Sequence, residues 1–291
     1  MRRIYRRAAC ALICAALMLA ALCPSAAADD AVLSPARERP ELEDARVYIN
    51  GLLSGRAFIK SGTAYLALAD IGEMYGVDIR TDVTADGFTA SAPGLELSAT
   101  RDAGYAEANF RYIYLPRGYI VCGEDVYLPL DAIGRIFSLT GELTDKGTVE
   151  ISTTQVRMIS GNEDYYATHF SADELYWLPH IAYVEALEEP LAGIMGVVSV
   201  VLNRVEDDDF PDTIFEVLYD SRTAVQFTPA ATGSMHGKPT ELYYIATYLV
   251  LEGYNTVGES IYFVNPENNG NYWFRENRTY VTAIGDHEFY K

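Results

Sequence analysis

Apolar residues recur at helical spacing between Ser171 and Val205, and one carboxylate falls on the apolar stripe. Ser171 followed by Glu174 is a capping-box pattern, in which a hydroxyl and a carboxylate satisfy free amides at a helix start. Leu175, Leu178, Ile181 and Ala182 then share one face, and the next position on that face, seven residues after Leu178, is Glu185. Pro190 ends this helix or opens the next. Residues 191–205 are apolar on nearly every side, the pattern of a central buried helix, interrupted only by Asn203 and Arg204. Leu242, Ile245, Ala246, Leu249 and Val250 predict a further helix over 240–254, and the segments 260–264, 272–274, 280–284 and 288–290 read as strands.

The first half repeats itself. GTAYLALADIG (62–72) returns as EDVYLPLDAIG (124–134), so Tyr65 matches Tyr127, Leu66 matches Leu128, Leu68 matches Leu130, Ile71 matches Ile133 and Gly72 matches Gly134. Each copy predicts a short helix, with Tyr75 and Phe137 extending the two apolar faces. Strand-like segments surround them at 46–49, 57–59, 77–79 and 88–90, and again at 112–115, 119–121 and 148–151. A twice-used strand and helix unit predicts one small α+β domain built by duplication.

A carboxyl on a half-buried apolar face loses hydration, which disfavours its charged form and raises its pKa. That suits a general acid near neutral pH. The competing reading puts Glu185 on the helix edge in solvent, or in an ion pair with a base such as Arg204.

Charge and cysteines bear on destination and partners. Arg2, Arg3, Arg6 and Arg7 precede sixteen mostly apolar residues (8–23), and Ala26 and Ala28 occupy the small-residue cleavage positions of a secretory signal. The apolar run is short for a membrane span, which needs roughly 20 residues. A signal over 1–28, containing no acid, takes the formal charge from −19 to −23 when it leaves with its four arginines. So anionic a chain is a poor partner for nucleic acid or anionic membrane surfaces, and no stable membrane insertion is expected after cleavage. Cys10, Cys14 and Cys23 leave with the signal, so the mature chain is expected to hold Cys122 alone, without an intramolecular disulfide or a cysteine-based metal site. The acidic run 206–209 reads as a solvated turn, since calcium loops need spaced oxygen ligands and a glycine.

The N-terminal half, over 45–153, resembles the small N-terminal stalk domain of copper amine oxidases, through Asn50-Gly51 and the two YLxL helices. That module holds no copper in the family, and all four histidines (His169, His180, His236, His287) lie outside it here. The resemblance implies a spacer or wall-facing surface. Tyr105, Tyr112, Tyr114 and Tyr119 are candidates for stacking on sugars or for packing across a sheet.

The C-terminal half resembles the cell wall hydrolase family of the spore cortex-lytic enzymes. The likeness rests on VEALEEP (184–190), VVLNRV (200–205), Phe210-Pro211, QFTP (226–229), YFVNP (262–266) and IGDHEFYK (284–291). It implies a lysozyme-like, mainly helical domain with a short β-sheet, and an enzyme cutting peptidoglycan glycan strands between N-acetylmuramic acid and N-acetylglucosamine. Glu185 stands at the family's catalytic acid, which decides between its two readings. Leu187 and Glu188 replace the Arg and Gly usual before the second Glu, and Glu188 is expected to raise a neighbouring acid's pKa further.

One carboxyl suffices for a lytic transglycosylase, because the sugar's own 6-hydroxyl is the nucleophile. A two-carboxylate muramidase would use Glu189 as its second acid, although Pro190 makes a structural role, bonding the helix amides after it, the preferred expectation. Asn203, Gln226, Phe227, Tyr262, Asn265 and His287 are the substrate-binding candidates, with Trp273 as a further stacking face. No metal or other cofactor is required. A wall-binding scaffold without activity is the rival from a different class.

The expected organisation is therefore α+β throughout: a signal at 1–28, the duplicated domain at 45–153, a linker at 154–173 and the hydrolase domain at 174–291. The expected location is secreted and wall-associated, the spore envelope included.

Overall fold

The computed structural model describes residues 42–153, 157–222, 227, 237–269 and 272–291, so the signal expected at 1–28 and the candidate Gln226 lie outside the described residues. In chain order the elements begin with β1 (Glu43–Ile49), β2 (Leu52–Lys60), β3 (Thr63–Ala67), α1 (Leu68–Tyr75), β4 (Arg80–Val83), β5 (Gly87–Ala92) and β6 (Leu95–Thr100). A hairpin of β7 (Tyr105–Ala108) and β8 (Arg111–Tyr114) follows, then β9 (Ile120–Cys122), β10 (Asp125–Pro129), α2 (Leu130–Phe137), β11 (Thr140–Leu143) and β12 (Thr148–Ser152). The remainder is α3 (Tyr165–His169), α4 (Ala172–Glu185), α5 (Leu191–Val205), α6 (Ile214–Leu218), α7 (Glu241–Leu251), β13 (Tyr262–Val264), α8 (Pro266–Asn269), α9 (Tyr272–Asn277), β14 (Tyr280–Ile284) and β15 (His287–Tyr290).

Two compact units emerge. The first runs to Asp102 and resumes over Arg117–Ile159, and the second joins Ala103–Pro116 to Ser160–Lys291. In the first, the strand order β11-β12-β1-β2-β3-β10-β9 places the repeated segments side by side, with Leu66 opposite Leu128 in an antiparallel pair. The repeated glycines have one cause. A Cβ on Gly72 would lie 2.8 Å from the Val77 carbonyl oxygen, and one on Gly134 would lie 2.9 Å from that of Leu139. Each chain folds back over its helix end there, with Val77 N–H donating to the Gly72 carbonyl and Leu139 N–H to that of Gly134. Tyr75 donates its hydroxyl to the Phe137 carbonyl, joining the two copies. The strand expected at 77–79 forms instead at Arg80–Val83, because 77 is spent on that helix cap.

Cys122 is disulfide-bonded, against the expectation of a lone cysteine. The other three cysteines lie outside the described residues.

In the second unit, α4, α5, α6 and α7 enclose a core of Leu178, Ile181, Ala182, Ala186, Ile194, Met195, Val197, Val198, Val201, Leu249 and others. β15 pairs antiparallel with both β13 and β14 in a three-stranded sheet. Two expectations are corrected here. Residues 272–274 begin helix α9 rather than a strand. The polar segment read as an irregular linker contains α3, whose Tyr166 ring stacks on Tyr112 at 6.1 Å and on Tyr248 at 4.0 Å.

That stack belongs to a wider contact of the β7–β8 hairpin within its unit. Tyr112 stacks on Tyr248 of α7 at 5.7 Å, and Arg111 forms a two-pronged pair with Glu252 at 2.9 and 2.6 Å. The Tyr166 hydroxyl donates to Glu252 at 3.0 Å and accepts the Tyr112 N–H at 3.0 Å. Tyr105, Tyr112 and Tyr114 pack against the helical core, as strand tyrosines do.

Candidate active site

Glu185 is the last residue of α4, and the local sequence explains its placement. The Ser171–Glu174 capping box forms, with Glu174 N–H donating to the Ser171 hydroxyl at 3.2 Å and Ser171 N–H donating to the Glu174 carboxylate at 2.6 Å. The same helix admits Pro179 in its interior, which the periodicity did not register. It stops at Ala186, and Glu188 takes the left-handed conformation at φ 66°. That position explains the glycine expected near it in related motifs: the turn reverses the chain between α4 and α5. Ala186 is fixed by the buried Tyr243 hydroxyl of α7, which donates to its carbonyl at 3.4 Å.

The Glu185 carboxyl is pushed up to about 7 by loss of hydration, and the positive charge of Arg204 opposes the shift. Among the described residues it makes no ion pair and no hydrogen bond. Glu188 is exposed, and the expectation that it adds to the shift is not met: burial is the cause. A carboxyl whose pKa lies near neutrality can give up a proton and take one back.

Glu189 turns to a different task. It is 9% exposed, and its two oxygens accept the Asp286 N–H at 3.1 and 3.3 Å, in the turn joining β14 to β15. The expected bonds to amides of the following helix are replaced by this one. The glycines around it are required by close approach. A Cβ on Gly193 would lie 2.9 Å from its Oε2, and one on Gly285, at φ 57°, would lie 1.7 Å away.

His287 Nδ1 lies 3.4 Å from Glu189 Oε1. Burial lowers the imidazole pKa, opposed by Glu189 and Asp286, and Phe263 meets the ring edge-on at 5.1 Å. The residue is a buried side chain set against Glu189 rather than an exposed sugar contact.

Three other candidates likewise have places within the fold. Asn203 donates both amide hydrogens to main-chain carbonyls, of Gly258 at 2.7 Å and Ser260 at 2.8 Å, so its donors hold a loop. Phe227 is 1% exposed and offers no face to a sugar ring. Asn265 accepts the Glu267 N–H at 3.0 Å and starts α8. Tyr262 is half-buried, with Arg278 over its ring at 4.7 Å and donating to its hydroxyl at 3.3 Å. Trp273 is exposed beside Arg278, 5.4 Å from the guanidinium.

Arg204 is the residue the sequence reading left outside its site. It is 4% exposed, and its Nε donates to the Ile261 carbonyl at 2.7 Å. The rings of Phe210, Phe227 and Tyr262 surround its guanidinium at 5.0, 5.0 and 5.5 Å. Burial lowers its pKa to about 10. The signal was available, since a charge inside an apolar helix is as anomalous as Glu185 on its stripe. Among the described residues, no cluster of three or more His, Cys, Asp or Glu side chains could hold a metal.

Residues 188–290 match the cell wall hydrolase family. The matched span begins three residues after Glu185, whose assignment therefore rests on its surroundings and on the order of motifs. The chain is also similar to the spore cortex-lytic enzyme of Bacillus cereus, 30% identical over 122 residues, covering 42% of this chain and 46% of the relative. The Bacillus subtilis spore cortex-lytic enzyme is 28% identical over 120 residues, covering 41% of this chain and 38% of the relative. The chain thus spans less than half the length of the curated relatives it matches. Among solved structures, the catalytic domain of the Bacillus cereus SleB protein is 30% identical, with 42% of this chain and 92% of that chain covered and a TM-score of 0.38. The matched span holds α5, the Glu189 turn and the whole three-stranded sheet.

Proposed function

We propose that this protein is an exported enzyme that cleaves the glycan strands of peptidoglycan, with Glu185 as its acid and base. The observation that carries this reading is a partly buried carboxyl, free of ion pairs among the described residues, with its pKa pushed up to about 7 at the end of a core helix. The cell wall hydrolase match next to it supports the substrate class.

The chemistry needs one carboxyl. Protonated Glu185 gives its proton to the glycosidic oxygen as the bond to the anomeric carbon breaks. The resulting carboxylate takes the proton of the same sugar's 6-hydroxyl as that oxygen bonds to the anomeric carbon. The proton returns to Glu185, no water is consumed, and the fragment carries a 1,6-anhydro end. Engagement of Glu189 by Asp286 favours this scheme over one needing a second free carboxylate.

On this reading residues 45–153, the stretch likened above to the copper amine oxidase stalk domain, serve as a spacer or wall-facing surface. Export through the signal expected at 1–28 would bring the enzyme to vegetative wall or spore cortex. Mass spectrometry of fragments released from purified peptidoglycan tests the reading. Products lighter by one water, absent with Glu185→Gln, support it. Hydrated reducing ends indicate a muramidase, and wall binding without release indicates a scaffold.

A further inference from the structure

Arg204 carries its charge in an almost completely buried position, and among the described residues no ion pair joins it to a carboxylate. Its Nε is used by the Ile261 carbonyl, while its Nη1 has no hydrogen-bond partner among the described residues. Three groups feel its charge: Tyr262 on β13, Asp220 after α6 and Glu185 on α4. Tyr262 is a phenol whose hydroxyl accepts from Arg278. Asp220 is already committed to Arg222, accepting its backbone N–H at 3.0 Å and its guanidinium at 3.0 and 3.1 Å. Glu185 is the remaining carboxyl, and among the described residues it has no hydrogen bond or ion pair of its own. The two do not form a direct pair: no ion pair within 4.0 Å joins them.

We infer that Arg204 is a positioning residue for Glu185: a caged, backbone-anchored guanidinium whose charge, held short of a direct ion pair, keeps the buried carboxyl able to ionise. A carboxyl that must first donate and then accept a proton needs both forms within reach near ambient pH. Burial alone favours the protonated form and would make Glu185 a good acid but a reluctant carboxylate. A direct ion pair would overshoot in the other direction. A cation fixed at a distance by Ile261 and three rings sits between these extremes, because the cage prevents it from swinging over to close the pair. Its neighbour Asn203, through the bonds to Gly258 and Ser260, steadies the loop that supplies the Ile261 carbonyl.

The inference rests on the proposed role of Glu185, and one experiment separates the two. The pH dependence of kcat/KM for glycan release is measured for the wild type and for Arg204→Gln, Arg204→Met and Arg204→Lys, with Glu185→Gln alongside, each checked for folding by its thermal melt. The alkaline limb reports loss of the Glu185 proton in the free enzyme. Removing the cation should move that limb upward by about one pH unit in the Gln and Met variants, and Lys should restore it toward the wild-type position. Carbon-13 titration of the Glu185 carboxyl in the same proteins, without substrate, should show the same displacement. An unmoved limb and an unmoved titration in a folded neutral variant, with Glu185→Gln inactive, would overturn the role of Arg204 and leave that of Glu185 standing. Full activity of Glu185→Gln would overturn the catalytic assignment itself.

Discussion

Both carboxylate oxygens of Glu189 reach the backbone N–H of Asp286, at 3.1 and 3.3 Å, so the chain just before α5 is tied to the turn joining β14 and β15. Glycines at 193 and 285 leave the room this contact needs. Sequence spacing offered Glu189 as a second acid, but the geometry uses it to fasten the sheet to the helical core.

Glu189→Gln should therefore retain most activity, because an amide oxygen can still accept the Asp286 N–H. Glu189→Ala should lower stability by about 1–3 kcal/mol by leaving that buried donor unpaired. Urea melts combined with glycan-release rates distinguish the roles. Loss of activity in Glu189→Gln at unchanged stability would identify a catalytic acid instead. Gly285→Ala should be the more damaging change, since its Cβ would lie 1.7 Å from Oε2 and its φ of 57° is strained for alanine.

Asn203 gives a second contrast between holding and binding. Asn203→Ala removes the donors to the Gly258 and Ser260 carbonyls and should cost about 1–3 kcal/mol of stability. KM for glycan fragments, measured where the variant remains folded, should stay within about twofold of the wild type. A large KM increase with unaltered melting would return Asn203 to the substrate cleft.

What was legible in the sequence follows the range of the interactions involved. The capping box, the helix at Leu191–Val205 and the repeated Gly72 and Gly134 are set by neighbours a few residues away, and the pattern announced them. The anomaly of Glu185 was visible for the same reason. Roles set by distant partners were not: Asn203 bonds carbonyls 55 and 57 residues away, Glu189 a backbone N–H 97 residues away, and Arg111 a carboxylate 141 residues away. Residues 272–274 misled because a short aromatic run has no periodicity with which to separate helix from strand.

The Arg111–Glu252 pair makes the hairpin's membership in the second unit testable. Glu252 is almost fully buried and Arg111 partly so, with two bonds between them and Tyr166 on the same carboxylate. Arg111→Ala should destabilise this unit by about 2–4 kcal/mol, after allowance for the arginine's partial exposure. Hydrogen exchange should show the loss in α7 as well as in the hairpin. Loosening confined to residues 103–116 would mean that the hairpin contributes little to the helical core.

Glu185 should reveal itself in stability even before any substrate is added. Its pKa rises from 4.5 to about 7 on folding, so the folded protein holds this proton more tightly than the unfolded chain. The resulting stabilisation is complete below about pH 4.5 and disappears as the pH climbs through 7, leaving the buried carboxylate as a net cost. Glu185→Gln keeps a neutral side chain at every pH. Relative to the wild type it should therefore gain about 2–3 kcal/mol between pH 4 and pH 8, allowing for partial exposure of the site. Denaturant melts of both proteins at the two pH values measure that difference directly. A difference that does not change with pH would mean that Glu185 titrates as an ordinary surface carboxylate, removing the physical basis for its double role.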